Sequence, residues 1–324
     1  MAWMEALRRA VGAEPDASAH ARSHGLGYAA ALGAGALASL IPVGGTLLLS
    51  DVDPLVTAGF ANLFAGLVVL PLAGRPRFAR EDRPRLIAIA LLGAALAPVL
   101  YFIGLQQTTA SEAGVLVNAE TVFTVALAVL ILRERASGLD FAAVGVVVAG
   151  AVAISLARDV AFDLAHLLAN ALVILSTLVW ASDNVISTGL ARRNAPHAIA
   201  AWKNVLGAPV VIAVALAVGS SMALTPGHVV GFLLVGGVGI GVSLVLFYTA
   251  LRHIGAYRTS AIFGLQGAFA TVLGYALVGD RLAPGQLAGA AAMVGGVLLL
   301  AWSHRSQNAG ASGGRPPVPP VVPP

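Results

Sequence analysis

LYFIGLQQTTASEAG…ILRER, residues Leu100–Arg135, aligns without gaps with LFYTALRHIGAYRTS…LVGDR, residues Leu246–Arg281. The identical pairs in this alignment include Leu100/Leu246, Leu105/Leu251, Phe123/Phe269, Leu127/Leu273 and Arg135/Arg281. Farther upstream, PLVTAGFAN, which ends at Asn62, matches PHAIAAWKN, which ends at Asn204. Chance similarity among Ala- and Leu-rich helices is the alternative. The gapless length and the matching loops favour an internal repeat.

The composition indicates an integral membrane protein. Of the 324 residues, 58% are hydrophobic and 10% are charged, whereas a soluble domain carries about 25% charged residues. Apolar runs of roughly 20 residues, which is the length of a bilayer-spanning helix, recur along the chain. The ten predicted spans are Gly27–Leu49, Pro54–Ala73, Leu86–Leu105, Ala110–Leu132, Phe141–Leu156, Leu164–Leu190, Pro196–Val218, Gly227–Leu251, Tyr257–Val278 and Gly285–Ser303. We therefore predict an all-α membrane protein with ten transmembrane helices.

The repeat and the number of spans together predict the topology. Each half holds five spans, and because five is odd, the second half enters the membrane upside down. Inverted repeats are typical of secondary transporters, whose substrate site lies near the bilayer midplane between the repeats. The predicted divisions are an N-terminal tail (1–26), repeat 1 (27–157), repeat 2 (158–303) and a disordered proline-rich tail (304–324).

The arginines predict the orientation, since loops rich in Lys and Arg stay in the cytoplasm. If the N-terminus is cytoplasmic, so are the loops that hold Arg75, Arg77, Arg80, Arg83, Arg85, Arg133, Arg135, Arg192, Arg193, Arg252 and Arg258. Arg158 and Arg281 then fall outside. We predict a multi-pass protein of the cell (inner) membrane with both termini in the cytoplasm. The same placement of the basic residues argues against a nucleic-acid partner, and the absence of cysteine excludes disulfide and thiol chemistry.

The fourth span carries a family resemblance. NAETVFTVALAVLILRER, Asn118–Arg135, is similar to the fourth helix of the EamA-type transporters of the drug/metabolite transporter superfamily. Two five-helix halves, each with an acidic residue near the exit of its fourth helix, also resemble that family. The resemblance spans about 27–303 and departs at Thr121 and Asn62, where the family often has proline and arginine. It implies a transporter that exports an amino acid or a related small metabolite.

Glu120, Asp183 and Lys203 are the ionisable residues that we place deep within spans. A charge at the bilayer centre costs about 2.5–3.5 kcal/mol on insertion scales, so such residues face the bundle interior and have partners. Glu120 lies near the middle of its span, opposite Gln266 in the aligned repeat. Its carboxylate is expected to bind an amine group or a coupling proton; the alternative is a structural hydrogen bond, for example with Asn118.

Asp183 and Lys203 lie on consecutive antiparallel spans, each about 10 Å from the cytoplasmic end at 1.5 Å per residue. Equal depth predicts a salt bridge; the alternative is a lysine that extends to the headgroups. Glu120 is expected at a different depth from Asp183. His166 and His228 lie near span ends and are predicted to face water.

The predicted function is secondary transport by alternating access. The candidate substrate-binding residues are Glu120, Asn118, Gln266, Asn62, Asn204, Asp183, Asn184, Lys203 and Trp180. The predicted partners are a small-molecule substrate, the lipid bilayer, a coupling proton and, as an open alternative, a second copy of the chain; no metal or cofactor is predicted. An importer of the same fold, an intramembrane enzyme and a scaffold or receptor are the alternatives. The enzyme is disfavoured because no HExxH motif or pair of neighbouring carboxylates is found.

Overall fold

A computed structural model of the chain describes residues 20–75, 78–132, 138–156 and 164–312. The regular elements within these ranges are all helical. The α-helices are α1 (His20–Ala38), α2 (Leu40–Leu48), α3 (Pro54–Ala73), α4 (Arg83–Leu91), α5 (Ala97–Leu105), α6 (Ala110–Leu116), α7 (Ala119–Leu132), α8 (Gly138–Leu156), α9 (Leu164–Arg193), α10 (Pro196–Ala217), α11 (Pro226–Phe232), α12 (Ser243–Phe263), α13 (Gln266–Leu273) and α14 (Pro284–Ser312). π-Helical segments at Leu92–Leu96, Leu233–Val242 and Gly274–Val278 continue α4, α11 and α13.

The predicted fold class is confirmed. Within the described ranges, six helical segments are long and apolar enough to cross a membrane: Gly25–Leu48, Pro54–Ala73, Arg83–Leu105, Leu164–Arg193, Pro196–Ala217 and Pro226–Gly255. Shorter apolar helices occupy Phe141–Gly150 and Gln266–Val278. The chain is thus a multi-pass helical membrane protein.

Local sequence explains where α3 begins and ends. The Asp53 side chain caps the helix by accepting a hydrogen bond from the Leu55 main-chain nitrogen at 2.8 Å, and Pro54 fits the first turn because no partner is needed there for its missing N–H. At the other end Gly74 adopts φ 61°, a conformation that residues with a Cβ rarely reach. Between these signals the chain is almost entirely apolar, as a bilayer-spanning helix requires.

Two predicted spans are broken at equivalent positions of the two repeats. The fourth span is interrupted by a turn at Val117 and Asn118, between α6 and α7. The ninth is interrupted by a turn at Gly264 and Leu265, between α12 and α13. In the alignment of the two halves, Asn118 corresponds to Gly264. The prediction of continuous helices was therefore wrong here, while the shared position of the two breaks agrees with the repeat.

Helices that correspond in the two halves pack against each other: α3 with α10, α6 with α13, and α8 with α14. Such contacts are what a two-fold relation between repeats produces, because equivalent helices meet at the axis. The first helix begins at His20, before the predicted boundary at 27, and α14 continues to Ser312. Helical structure thus reaches into residues 304–312, where the sequence predicts a disordered tail. The arginines at 133, 135 and 158 and the tail at 313–324 lie outside the described residues.

Candidate functional site

A cavity of about 700 Å³, a volume that includes its open mouth, lies between the repeats. Its walls are mostly apolar, with polar side chains from helices of both halves. Seven of the predicted site residues line it: Asn62, Glu120, Trp180, Asp183, Asn184, Lys203 and Gln266. Asn118 and Asn204 are buried but are not among its lining residues. A mostly apolar concave site with a few polar groups is the usual form of a small-molecule site.

The predicted ion pair between Asp183 and Lys203 is confirmed, and both side chains are 2% exposed. The Lys203 Nζ donates to Asp183 Oδ2 and also to the Tyr248 hydroxyl at 3.1 Å. Ser187 Oγ donates to the other carboxylate oxygen of Asp183 at 3.0 Å. Pairing together with these additional hydrogen bonds is what makes a buried charge tolerable.

Gly93 makes room for this ion pair. It lies in the π-helical segment Leu92–Leu96, and a Cβ at this position would collide with the Asp183 carboxylate and the Lys203 ammonium group. The Gly93 carbonyl also accepts a hydrogen bond from Trp180 Nε1 at 3.2 Å. Neither Gly93 nor Tyr248 could be singled out from the sequence, because neither differs by type from the other glycines and tyrosines of the spans.

Glu120 has a different partner from the one suggested by the sequence. The Asn184 side-chain amide donates to Glu120 Oε1 at 2.5 Å, and Glu120 is 7% exposed. Both amide atoms of Asn118 lack a hydrogen-bond partner, so the suggested Asn118 contact was wrong. Asn184 directly follows Asp183 in α9, so this hydrogen bond brings Glu120 to the level of Asp183, and both carboxylates line one cavity. The expectation that Glu120 and Asp183 lie at different depths was therefore also wrong.

Gln266 and Tyr101 present unpaired polar atoms at the cavity. Gln266 Nε2 lies 3.5 Å from the Ala38 carbonyl oxygen, while its Oε1 has no hydrogen-bond partner. The Tyr101 hydroxyl is likewise buried without a partner, and the Tyr101 ring centroid lies 5.4 Å from that of Trp180. Unpaired buried polar atoms are costly, so atoms of this kind beside a cavity are candidates for contact with a bound molecule.

Asn62 and Asn204 behave alike in the two repeats. The Asn62 side-chain amide donates to the Ala58 carbonyl at 2.8 Å, and that of Asn204 donates to the Ala200 carbonyl at 2.7 Å. In each case the acceptor is the carbonyl one helical turn earlier. This equivalence supports the repeat, although only Asn62 of the two lines the cavity.

A second buried polar group, which we call the Glu112 cluster, lies at the end of the bundle where α6 and α9 begin. It consists of Glu112, His166, Gln286 and the neighbouring Thr108 and Thr109. Glu112 is fully buried, and His166 and Gln286 are each 4% exposed. The prediction that His166 faces water was therefore wrong. The signal that could have indicated Glu112 is the capping box TASE, Thr109–Glu112, which ties the carboxylate to the helix start.

The cluster joins both halves of the chain. Gln286 Nε2 donates to Glu112 Oε1 at 2.7 Å, and Thr108 Oγ1 donates to Glu112 Oε2 at 3.0 Å. His166 Nε2 lies 3.3 Å from Glu112 Oε1. Glu112 belongs to the first half, whereas His166 and Gln286 belong to the second. Among the described residues no group of three or more His, Cys, Asp or Glu side chains is arranged to hold a metal ion.

Comparison with known proteins identifies similar sequences along almost the whole chain. The model of the EamA-like transporter family matches twice, at residues 25–156 and 167–302. An uncharacterized transporter of Methanothermobacter thermautotrophicus is 27% identical over 278 residues, which cover 80% of this chain and 81% of the relative. The uncharacterized transporter YcxC of Bacillus subtilis is 26% identical over 218 residues, covering 63% and 70%.

A solved crystal structure has the same fold. It superposes with a TM-score of 0.65 at 16% identity and covers 89% of this chain and 99% of its own. At this identity the likeness concerns the fold alone.

Proposed function

Because the chain belongs to the EamA-like transporter family, we propose that it is a secondary transporter that carries a small metabolite through the central cavity by alternating access. Family membership points to a membrane transporter rather than an enzyme, with a small molecule as substrate and the bilayer as its surroundings. The mechanism, the substrate class and the direction are our proposal. In it, the two repeats rock against each other around the cavity between them.

The observation that carries this proposal is the placement of Glu120. Its carboxylate lines a cavity between the repeats, two residues after the helix break at Val117 and Asn118. Broken helices beside the substrate site are a recurrent feature of inverted-repeat transporters. Gln266 occupies the equivalent position after the second break, so one half contributes a titratable group and the other a neutral amide.

The charges of the cavity favour a substrate with an amino group. Asp183 and Lys203 neutralise each other, which leaves Glu120 as the charge without a charged partner among the cavity residues. A carboxylate in this position binds either an ammonium group or a coupling proton. An amino acid or a related compound, carried outward in exchange for protons, satisfies both alternatives. An importer of the same fold would differ in the direction of net flux.

The experiment is transport by purified protein in proteoliposomes loaded with a mixture of amino acids, with efflux followed by mass spectrometry over a pH series. We expect Glu120→Gln to fold and insert normally, because the amide keeps the size and the hydrogen bond to Asn184, and to lose transport or its pH dependence. Gln266→Ala is the matched control: it should weaken substrate binding and leave the pH dependence in place. Wild-type rates and an unchanged pH profile in Glu120→Gln would contradict the proposed role of Glu120.

Topology has a separate test, since the chain contains no cysteine. Single cysteines at Arg80, Arg192 and Ser306 should react with thiol reagents only from the cytoplasm, and a cysteine at Ala223 only from outside. A cysteine at Ser306 that is labelled only from outside would overturn the proposal that both termini are cytoplasmic. Cross-linking of the same variants would show whether a second copy of the chain lies nearby.

A further inference from the structure

The Glu112 cluster holds two titratable side chains in direct contact, outside the central cavity. Both Glu112 and His166 are buried, and their nearest atoms, Glu112 Oε1 and His166 Nε2, lie 3.3 Å apart. They belong to different repeats, so any change in this contact acts on the joint between the two halves. The mechanism proposed for the cavity does not use them.

The hydrogen bonds of His166 determine which of its nitrogens carries a hydrogen. Its Nδ1 lies 3.2 Å from the carbonyl oxygen of Gln107, and because a carbonyl oxygen only accepts, Nδ1 has to donate. In the neutral imidazole the hydrogen is then on Nδ1, and Nε2 is an acceptor. This nitrogen also lies 3.2 Å from the Asn170 amide nitrogen, a donor, which agrees with that assignment.

An ionised Glu112 facing a neutral His166 would bring two acceptors together in a buried place. The Glu112 carboxylate already accepts hydrogen bonds from Gln286 and Thr108. Neither donor places a hydrogen between Glu112 Oε1 and His166 Nε2. One additional proton converts the contact into a hydrogen bond. On Oε1, the carboxyl donates to Nε2; on Nε2, the ring donates to Oε1 and the Asn170 amide has to turn its oxygen toward the ring. Loss of this proton leaves Glu112 Oε1 and His166 Nε2 as two acceptors that repel each other, and the low dielectric of the buried site strengthens the repulsion.

We propose that Glu112 and His166 form a proton-binding site at the joint between the repeats, and that the bound proton holds this end of the bundle closed. The proposal rests on the proposed transport function only in assigning a purpose to the opening; the proton site itself stands on the geometry. When the proton leaves, the contact between α6 and α9 weakens and this end opens. In the predicted orientation this is the external end, so the proton comes from the external solution.

Solvent lies close enough to deliver the proton. Gln106 and Gln107, in the turn that follows α5, are exposed, and Thr108 is partly exposed. The His166 ring contacts the Gln107 carbonyl directly. Opening this end would therefore need the separation of short contacts near the surface and not the unfolding of a helix.

Another charged group contacts the same helix and has to be distinguished from the pair. Asp280 Oδ2 accepts a hydrogen bond from the Ser111 main-chain nitrogen at 2.9 Å. Arg281 follows it in the chain, and Tyr275, on the π-helical segment before it, is 66% exposed. Glu120 lies on α7, beyond the break that ends α6. Asp280→Asn is therefore a necessary control for any effect of pH.

The test measures how accessible this end is as a function of pH. Ser111 is 1% exposed, and the cysteine-free chain allows Ser111→Cys to serve as a single probe. In lipid nanodiscs without substrate, we expect its maleimide labelling, normalised to that of the exposed Ala223→Cys, to rise on the order of tenfold between about pH 5 and about pH 8, where histidine changes charge. Ser176→Cys, fully buried in α9, should stay unlabelled, which excludes general loosening.

The variants separate the proton site from a structural contact. Glu112→Gln and His166→Gln keep hydrogen-bonding groups but cannot exchange this proton, so each should abolish the pH dependence. Gln286→Ala should raise labelling at every pH but keep the pH ratio, which is the labelling at about pH 8 divided by that at about pH 5. Asp280→Asn should keep this ratio as well. Equal labelling of the wild-type background at both pH values, or a pH ratio that survives in Glu112→Gln and His166→Gln, would overturn the proposal.

A second measurement covers the case in which the cysteine itself disturbs the site. Protein without the cysteine probe is titrated from about pH 8 to about pH 5 with a pH indicator. Glu112→Gln and His166→Gln should each take up one proton fewer than the wild type, and an equal uptake would overturn the proposal. Neither measurement needs a substrate. Their failure is therefore distinguishable from failure of the proposed transport function, which Glu120→Gln tests.

Discussion

Helix α9 contributes one side chain to each of two groups of oppositely charged residues, and the two groups differ sharply in their surroundings. In the cavity, Asp183 and Lys203 are each 2% exposed. At the end of α9, Arg193 contacts Glu81 at 2.5 Å, and these two side chains are 40% and 68% exposed. Arg193 also lies 3.4 Å from the buried carboxylate of Asp82.

The difference in burial determines what each pair contributes. Exposed ion pairs are screened by water and contribute about 0–1 kcal/mol, whereas removal of one partner from a buried pair leaves a charge without compensation at a cost of about 3–5 kcal/mol. The cavity pair is therefore expected to be sensitive to any change around it, and the Arg193 group tolerant. Four predictions test this comparison.

The largest effect is expected for Lys203→Met. The substitution leaves the Asp183 carboxylate buried and unpaired, so the free energy of unfolding should fall by about 3–5 kcal/mol. The double variant with Asp183→Asn removes both charges and should recover much of this loss. Chemical unfolding in detergent micelles, analysed as a double-mutant cycle, measures both values, and additive losses would reject the coupling of the pair.

Gly93→Ala should be the next most harmful change. The new Cβ would collide with the Asp183 and Lys203 side chains, and crowding of a packed site costs about 1–3 kcal/mol. Gly145→Ala is the matched control, because a Cβ there meets no atom within 4 Å. A smaller loss of thermal stability in Gly93→Ala than in Gly145→Ala would show that the cavity pair adapts freely.

Tyr248→Phe removes the hydroxyl that accepts from Lys203 at 3.1 Å. Because the Asp183 contact stays, the expected loss of unfolding free energy is about 1.5 kcal/mol, typical of a hydrogen bond to a charged group. Tyr275→Phe, on a side chain that is 66% exposed, serves as the control and should change nothing. Identical unfolding curves for the two variants would mean that the Tyr248 hydroxyl adds nothing to the pair.

Arg193→Ala should have the smallest effect. It removes contacts with Glu81 and Asp82, but the buried Asp82 carboxylate keeps Arg85 at 3.4 Å and the Asn194 amide at 3.0 Å. The cost should therefore stay within about 1 kcal/mol and shrink as salt is added. Unfolding measured at low and at high salt checks this. A salt-independent loss as large as that of Lys203→Met would mean that exposure does not separate the two groups.

Equal depth on two consecutive helices could be predicted from the sequence, but contacts between helices that are distant in the sequence could not. Asp183 and Lys203 were paired correctly because they lie equally far from one loop on consecutive antiparallel helices, and the rise per residue fixes that distance. Glu120 was assigned the wrong partner because its actual partner, Asn184, lies on a helix that is far away in the sequence. Helices that are apolar all round carry little information about which face meets which neighbour.

The two helix breaks illustrate the same limit. Neither proline nor a run of polar residues marks Val117 and Asn118 or Gly264 and Leu265, so the sequence predicted continuous spans. Local turn bonds satisfy the backbone there: the Asn118 nitrogen donates to the Val115 carbonyl and the Leu265 nitrogen to the Ile262 carbonyl, both at 3.0 Å. Irregular backbone at membrane depth is tolerated where it is buried in protein.

The sequence by itself determined that the chain crosses the membrane repeatedly, that its halves are repeats, and that a few charges are buried, because hydrophobicity and chain length fix these properties without reference to neighbours. Only the tertiary structure decided which charges meet: Glu120 with Asn184 in the cavity, and Glu112 with His166 and Gln286 at the end of the bundle. Helices in a bilayer associate through close packing and hydrogen bonds rather than through hydrophobic burial. The choice of partner therefore depends on the shapes of helix faces brought together from distant parts of the chain.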